Sequence, residues 1–212
     1  MRGVAAVLVV LVAEVVSAQA PDWVTVIKPA FKQVVRLEML RQGAEGTGVC
    51  SAVVIHEING FLLTAAHCVD KPQAESISIT ANGRHAEVVK VNALLDLAVL
   101  RTQLRGEKQI ALADSTPEPG TPIAVVGYAF GWKALHPTFG YVSQNKSDET
   151  KGVKLNSDVI GGDSGGAVID ARGKLVAITS ALNFWYSSGL AIGVPIETVR
   201  EFAEPYLAKV TP

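Results

Sequence analysis

Gly161-Gly162-Asp163-Ser164-Gly165-Gly166 lies between Asn156-Ser157-Asp158-Val159-Ile160 and Ala167-Val168-Ile169. A serine flanked by glycines suits acyl transfer. Its hydroxyl needs a base to take the proton. The chemistry also needs a pair of backbone N–H groups to hold an oxyanion. Gly162 can adopt positive φ and aim its N–H inward beside that of Ser164. Gly165 and Gly166 leave room for a substrate chain. The string also fits the bare Gly-x-Ser-x-Gly pattern, whose serine sits between a strand and a helix in α/β-hydrolases. Here Ala167–Ile169 reads as a strand. The serine therefore belongs to a turn in an all-β chain, and the alternative without chemistry is a plain Gly-rich hairpin.

The rest of the chain agrees with that class. Gly and Pro punctuate short runs rich in Val, Ile, Leu and Thr, the pattern of a β-sandwich or barrel. One set of candidate strands covers Val34–Leu40, Cys50–Ile55, Phe61–Ala65, Ser76–Thr80, Ala86–Val91 and Leu97–Leu100. A second covers Ile123–Tyr128, Phe139–Ser143, Val153–Leu155, Ala167–Ile169, Leu175–Ser180 and Leu190–Val194. The Pro-rich, polar stretch within 102–120 separates the two sets. This gives a first β unit over about 31–101, a linker over about 102–120 and a second unit over about 121–195. Pro195 is expected to open a helix over about 196–206. Ile196, Val199 and Ala203 would form its apolar stripe, with Phe202 beside it, docked on the second unit.

Two further segments carry chemistry. In Leu63-Thr64-Ala65-Ala66-His67-Cys68 an apolar strand ends in two small residues, which let the chain turn and bring the imidazole to the sheet edge. In Leu94-Leu95-Asp96-Leu97-Ala98-Val99-Leu100 a single acid interrupts an apolar stretch. A buried carboxylate is costly unless paired. His67 is the expected partner. Asp96 would accept from one ring nitrogen, fix the tautomer and stabilise the imidazolium. His56, His85 and His136 are scattered over loops and strand ends. No His or Cys spacing suggests a zinc site, and no cofactor is expected.

Composition sets the bounds. The chain has 212 residues, 49% of them apolar, and a formal net charge of −1. Its Lys and Arg are scattered, which argues against a nucleic-acid surface. Residues 1–18 read as a secretory signal: Arg2, an apolar run from Val4 to Ala13, then Val16-Ser17-Ala18 before the cut. The mature chain would begin at Gln19, without stable membrane association. In an exported chain the two cysteines, Cys50 and Cys68, suggest a disulfide rather than two buried thiols.

His67, Asp96 and Ser164 occur in the order of the chymotrypsin arrangement. Through Thr64-Ala65-Ala66-His67-Cys68, Asp96-Leu97-Ala98 and Gly162-Asp163-Ser164-Gly165-Gly166, the chain resembles the trypsin-like serine peptidases. The compact spacing resembles a bacterial branch, that of the HtrA (DegP-like) protease domains. So do Gly120–Tyr128, Gly140-Tyr141-Val142-Ser143 and Gly189–Pro195. The resemblance implies two six-stranded Greek-key β-barrels with a short C-terminal helix and a His67–Asp96–Ser164 triad in the cleft between them. It implies a secreted or periplasmic endopeptidase acting on polypeptides. The PDZ module common in HtrA-type proteases is not found after the helix, so a monomer is expected. The His-Cys dipeptide is closer to eukaryotic-style trypsins, and Ala167 stands where the family usually has Pro. No Ile-Val-Gly-Gly segment precedes the first barrel, so activation by that cut is not expected. Asp163, where HtrA-type chains usually carry Asn, is then left needing a different partner.

The resemblance also implies a substrate pocket. Asp158, six residues before the serine, would lie at its base and select Lys or Arg, unless it is a solvated loop acid. Ser180 and Gly189 would line the wall, Leu182 would narrow it, and Ser180 matches the serine that supports the triad acid. Two other functions compete with an endopeptidase. One is a catalytically silent, protease-like binding protein. The other is an esterase with the same triad, for which the triad order is wrong.

Overall fold

The computed structural model of the chain describes residues 20–41, 47–69, 77–145, 152–180 and 190–207. The expected signal, residues 1–18, and the pocket positions Leu182 and Gly189 lie outside them. Among the described residues there are twelve strands. β1 (Val34–Arg41), β2 (Thr47–His56), β3 (Phe61–Thr64), β4 (Ile77–Ala81), β5 (Arg84–Asn92) and β6 (Leu97–Thr102) close a first barrel in the order β1-β2-β3-β6-β5-β4. β7 (Pro122–Gly127), β8 (His136–Gln144), β9 (Val153–Asn156), β10 (Ala167–Asp170), β11 (Leu175–Ser180) and β12 (Ala191–Pro195) close a second, ordered β10-β11-β12-β9-β8-β7. Every pairing is antiparallel. The two barrels share one topology, β7 standing for β1 and so on round the ring.

That repeat positions the site. The β3–β4 connection carries His67 and its counterpart, the β9–β10 connection, carries Ser164. The β5–β6 turn carries Asp96, and its counterpart begins just after Ser180. Four candidate residues thus come from two pairs of equivalent chain segments.

Packing explains why the central strands do not alternate. In β2 six consecutive residues, Cys50 to Ile55, are buried. Cys50, Ala52 and Val54 fill the first barrel with Leu37, Leu62, Ala98 and Leu100. Val53 and Ile55 point the other way, into a core shared by the two barrels that also holds Leu63, Leu97, Val99, Val126, Ile169 and Ile178. A strand buried on both faces reads as a continuous apolar run. The second barrel has its own interior around Ile123, Val125, Leu155, Val168 and Val176.

The segment expected to be a linker also contributes to the core. Ile110 is 1% exposed, and its N–H donates to the Val54 carbonyl at 2.9 Å. Ala113 donates to Leu175 at 2.9 Å, and Leu175 to Ala111 at 2.8 Å. The strap is thus bonded to both barrels.

Two short helices precede the first barrel, α1 (Trp23–Ile27) and α2 (Ala30–Gln33). The C-terminal helix, α3, is shorter than expected. It spans Ile196–Ala203, and a 3-10 turn, Glu204–Tyr206, follows. Ile196, Val199, Phe202 and Ala203 are buried, as the stripe required. They join the core between the barrels rather than packing on the second barrel alone. Pro195 does not open the helix. Its extended backbone (φ −65, ψ 153) ends β12 and occupies the N-cap.

Cys50 of β2 and Cys68 of the 3-10 turn Ala66–Cys68 form a disulfide with Cα atoms 6.3 Å apart and a sequence separation of 18. A loop of that length constrains the unfolded chain by about 3 kcal/mol. Replacing both cysteines with alanine is expected to lower unfolding free energy by about that amount in urea titrations. An unchanged midpoint would show that the bridge contributes nothing to stability.

Candidate active site

His67 occupies the 3-10 turn directly after β3. Ala65 and Ala66 are 0% and 1% exposed, so only small side chains fit where the chain turns. Asp96 closes a tight turn from Asn92. The Asn92 Oδ1 accepts from the N–H groups of Leu94 and Leu95 at 3.0 and 3.1 Å, an Asx-type turn. Asp96 itself takes a left-handed backbone, φ 52. Asp tolerates this conformation better than most residues. The turn leaves Leu94 98% exposed and Asp96 4% exposed, so the acid faces inward.

There Asp96 meets three donor groups of His67 and Ser180. Its Oδ1 accepts from the His67 backbone N–H at 3.0 Å and lies 2.9 Å from the His67 Nδ1. Its Oδ2 lies 3.0 Å from that Nδ1 and accepts from the Ser180 hydroxyl at 2.6 Å. Burial works to raise the Asp96 carboxyl. The hydrogen bonds from His67 and Ser180 outweigh it and hold the carboxyl below its usual range. Asp96 therefore stays ionised and keeps a proton on Nδ1, which leaves Nε2 as the basic nitrogen.

Ser164 approaches from the second barrel. Its carbonyl accepts from the Ser51 N–H of β2 at 2.8 Å, and the Cys68 sulfur lies 3.8 Å from the same oxygen. A disulfide sulfur has no proton to give, so the latter is a contact. It puts the Ser164 backbone against the residue that follows His67. Among the described residues the Ser164 hydroxyl makes no hydrogen bond, to His67 or to any other group. Catalytic hydrogen bonds often tighten only with substrate bound.

The turn around Ser164 has its carbonyls tied off. Gly161 accepts from the Phe130 N–H at 2.6 Å, and Gly162 accepts from the Ser51 hydroxyl at 2.8 Å. The Gly162 and Ser164 N–H groups have no acceptor among the described residues. Gly162 has φ +104, and a Cβ there would lie 2.1 Å from the Tyr128 carbonyl oxygen. Gly165 has φ +79, and a Cβ there would meet the Thr64 Oγ1 at 2.1 Å. Neither position admits a side chain.

Two supporting residues escape a reading of sequence alone. Ser51, fully buried, bonds Gly162, Ser164 and, through its hydroxyl, the Tyr128 N–H at 2.9 Å. A signal existed: Ser51 is the one hydroxyl in Cys50–Ile55, and a buried hydroxyl, like a buried acid, needs partners. Phe130 gives no signal. It contributes its backbone, held left-handed at φ 53. For a bulky residue that conformation costs about 1–2 kcal/mol.

Asp163, 1% exposed, lies beneath this turn. Its Oδ2 accepts from the Ile160 N–H at 3.1 Å, and its Oδ1 is buried without a partner. Burial pushes its carboxyl up to about 6, against the pull of the Ile160 N–H and the charge of His136. An unfolded aspartate titrates near 4, roughly. Between these values the folded chain binds the proton better, so stability falls as pH rises through that window. Asp163→Asn is expected to remove that slope. Urea titrations on both sides of the window check this, and parallel profiles for the two proteins would contradict it.

The pocket positions fare differently. Asp158 is exposed at the end of β9, and its carbonyl accepts from the Thr138 hydroxyl at 2.9 Å. The Ser180 hydroxyl is on Asp96, so this residue supports the acid. Among the described residues no His/Cys/Asp/Glu cluster could hold a metal ion.

Comparisons with known proteins bear on this arrangement. A family model described as the trypsin-like peptidase domain matches residues 46–178. The chain is 29% identical over 175 residues to the periplasmic pH-dependent serine endoprotease DegQ of Escherichia coli (strain K12), covering 77% of this chain and 38% of that protein. It is 27% identical over 164 residues to an HtrA-like serine protease of Staphylococcus haemolyticus, covering 68% of this chain and 26% of that one. The chain thus spans well under half the length of these relatives. Among solved structures it superposes on the serine endoprotease from Yersinia pestis with a TM-score of 0.73 at 20% identity, covering 88% of this chain and 67% of that one. It superposes on the HtrA-type protease AlgW with tripeptide with a TM-score of 0.73 at 24% identity, covering 87% and 63%. These two structures share its two-barrel fold.

Proposed function

Since the chain belongs to the family of trypsin-like peptidase domains, whose model spans residues 46–178, we propose that it is a serine endopeptidase working through His67, Asp96 and Ser164. The Ser164 hydroxyl attacks the scissile carbonyl as the Nε2 of His67 takes its proton. Asp96, holding Nδ1–H, stabilises the imidazolium that forms. The Gly162 and Ser164 N–H groups receive the oxyanion. Collapse gives an acyl-enzyme and passes the proton to the leaving amine. Water, activated by the same imidazole, then releases the acid product.

The observation that most supports this reading is the Asp96 carboxylate. A first-barrel acid, 4% exposed, is held between His67 and the second-barrel Ser180. A structural ion pair would not need the Nδ1 of a half-exposed imidazole fixed in this way. Secretion or a periplasmic location is part of the proposal. It is supported by the apolar segment at 4–13 and by the periplasmic location in the name of one relative, DegQ. No helix among the described residues is long and apolar enough to cross a membrane.

A cleavage assay tests both activity and specificity. Peptides ending in Lys or Arg at P1 are compared with peptides ending in Val or Ala, with Asp158→Ala as control. Cleavage by the wild type is expected. A preference for Lys and Arg that Asp158→Ala removes would assign Asp158 to the pocket. Equal rates on the two sets would make it a solvated loop acid. Folded wild-type protein that cleaves neither set would favour the silent binding protein.

A further inference from the structure

Two buried polar atoms near the oxyanion turn have no hydrogen-bond partner: the Oδ1 of Asp163 and the Nδ1 of His136. The fold places them together. Gly127, the last residue of β7, pairs across the sheet with His136, the first residue of β8. Directly paired residues project to the same face, with Cβ atoms about 5 Å apart. A Cβ on Gly127 would lie 2.6 Å from the Asp163 Oδ1. The carboxylate therefore occupies the space a side chain at 127 would fill, and His136 is rooted beside that space. The charge of His136 also acts on Asp163. Trp132 stands edge-on to the imidazole, with ring centroids 5.6 Å apart.

We propose that His136 is the internal partner of Asp163, a positioning residue whose Nδ1–H donates to Oδ1 and so holds the oxyanion turn. One hydrogen bond between them would satisfy both orphaned atoms. Leaving them unmade would carry the desolvation cost of both groups. The bond exists with Asp163 ionised and His136 either neutral or charged. It is strongest with Asp163 ionised. Other groups on this side are the Ser51 hydroxyl from β2 and Tyr128 on the turn after β7. Arg36 of β1 and Glu107 of the strap in turn act on Tyr128. The His136 side chain thereby supplies the partner that Asp163 lacks in the sequence. The inference rests on the proposed roles of Gly162 and Ser164, since the turn it holds is theirs.

Two measurements test it. The first is the titration of the His136 imidazole by NMR in a Ser164→Ala background, which needs no activity. Asp163→Asn is expected to lower the His136 midpoint by about one unit, the effect of removing a nearby opposite charge. An unchanged midpoint overturns the pairing. The second is kinetic. His136→Ala is expected to lower kcat about tenfold with KM within about twofold, the size of a lost hydrogen bond to a charged group. His136→Gln, which keeps an N–H donor, should recover most of that loss. The Asp163→Asn/His136→Ala double variant should be no slower than the slower single variant. Losses that multiply, or a glutamine no better than alanine, overturn the positioning role. If His136→Ala does not fold, the glutamine variant and the NMR titration still decide. A wild type that cleaves nothing would remove the catalytic roles of Gly162 and Ser164, while the titration would still report on the pair.

Discussion

Ser164→Ala is expected to lower kcat on a peptide substrate by about a millionfold, with little change in folding stability or peptide binding. The hydroxyl is the only group the substitution removes. Among the described residues it has no hydrogen-bond partner, so its loss leaves no orphaned donor or acceptor. The backbone of Ser164 keeps its bond from Ser51 at 2.8 Å, and the Gly162 carbonyl keeps the Ser51 hydroxyl at 2.8 Å. The oxyanion turn should therefore survive, and residual catalysis should reflect that turn and binding alone. Active-site titration and urea melts of the same preparation check both halves. A variant that still turns over within about tenfold of wild type would remove Ser164 as nucleophile.

Asp96→Asn is expected to lower kcat by about ten-thousandfold, more than its change in size would suggest. Asparagine is isosteric, but one acceptor becomes an NH2 donor. The Oδ1 site faces a backbone N–H at 3.0 Å, which cannot reverse its role. The oxygen of asparagine must go there, and the NH2 then faces Ser180, whose hydroxyl can rotate to accept. Nδ1 is left between the two, and the NH2 favours the tautomer in which Nδ1 is bare and Nε2 carries the proton. That tautomer cannot take a proton from Ser164. Rates followed across the pH range check this, since a tautomer effect predicts a loss that persists on the alkaline side. A loss under about tenfold would mean that Asp96 serves only to hold the loop.

Much of this is legible in the sequence because it obeys local rules. The strands stand out through β-branched runs bounded by turns, and their ends move by a few residues on folding. β8 extends back to His136, past Pro137, which pairs with Val126 at the sheet. A proline discourages that extension, since it cannot donate to a ladder. The proposed triad is legible because each member interrupts a pattern: a serine among glycines, a histidine after two alanines, an acid in an apolar run.

What is not legible depends on contacts distant in sequence. Trp23-Val24-Thr25-Val26-Ile27 is rich in β-branched residues, yet it forms α1. Asp22 caps it, Trp23 meets Phe139 at 5.3 Å, and Val26 and Ile27 pack on the shared core. The Asp22 cap and partial packing against the core override propensity there. Phe130 acts through its backbone, which no side-chain pattern announces. His136 resembles any strand-end histidine until the register puts it opposite Gly127.

The most direct test of the Ser164 nucleophile is chemical. The wild-type protein is treated with a fluorophosphonate probe and the modified residue located by mass spectrometry, with His67→Ala treated alongside. A triad built on Ser164 predicts a single adduct on that residue, lost in His67→Ala although the variant remains folded. Folded wild-type protein that takes no label, or label on another residue, would contradict it.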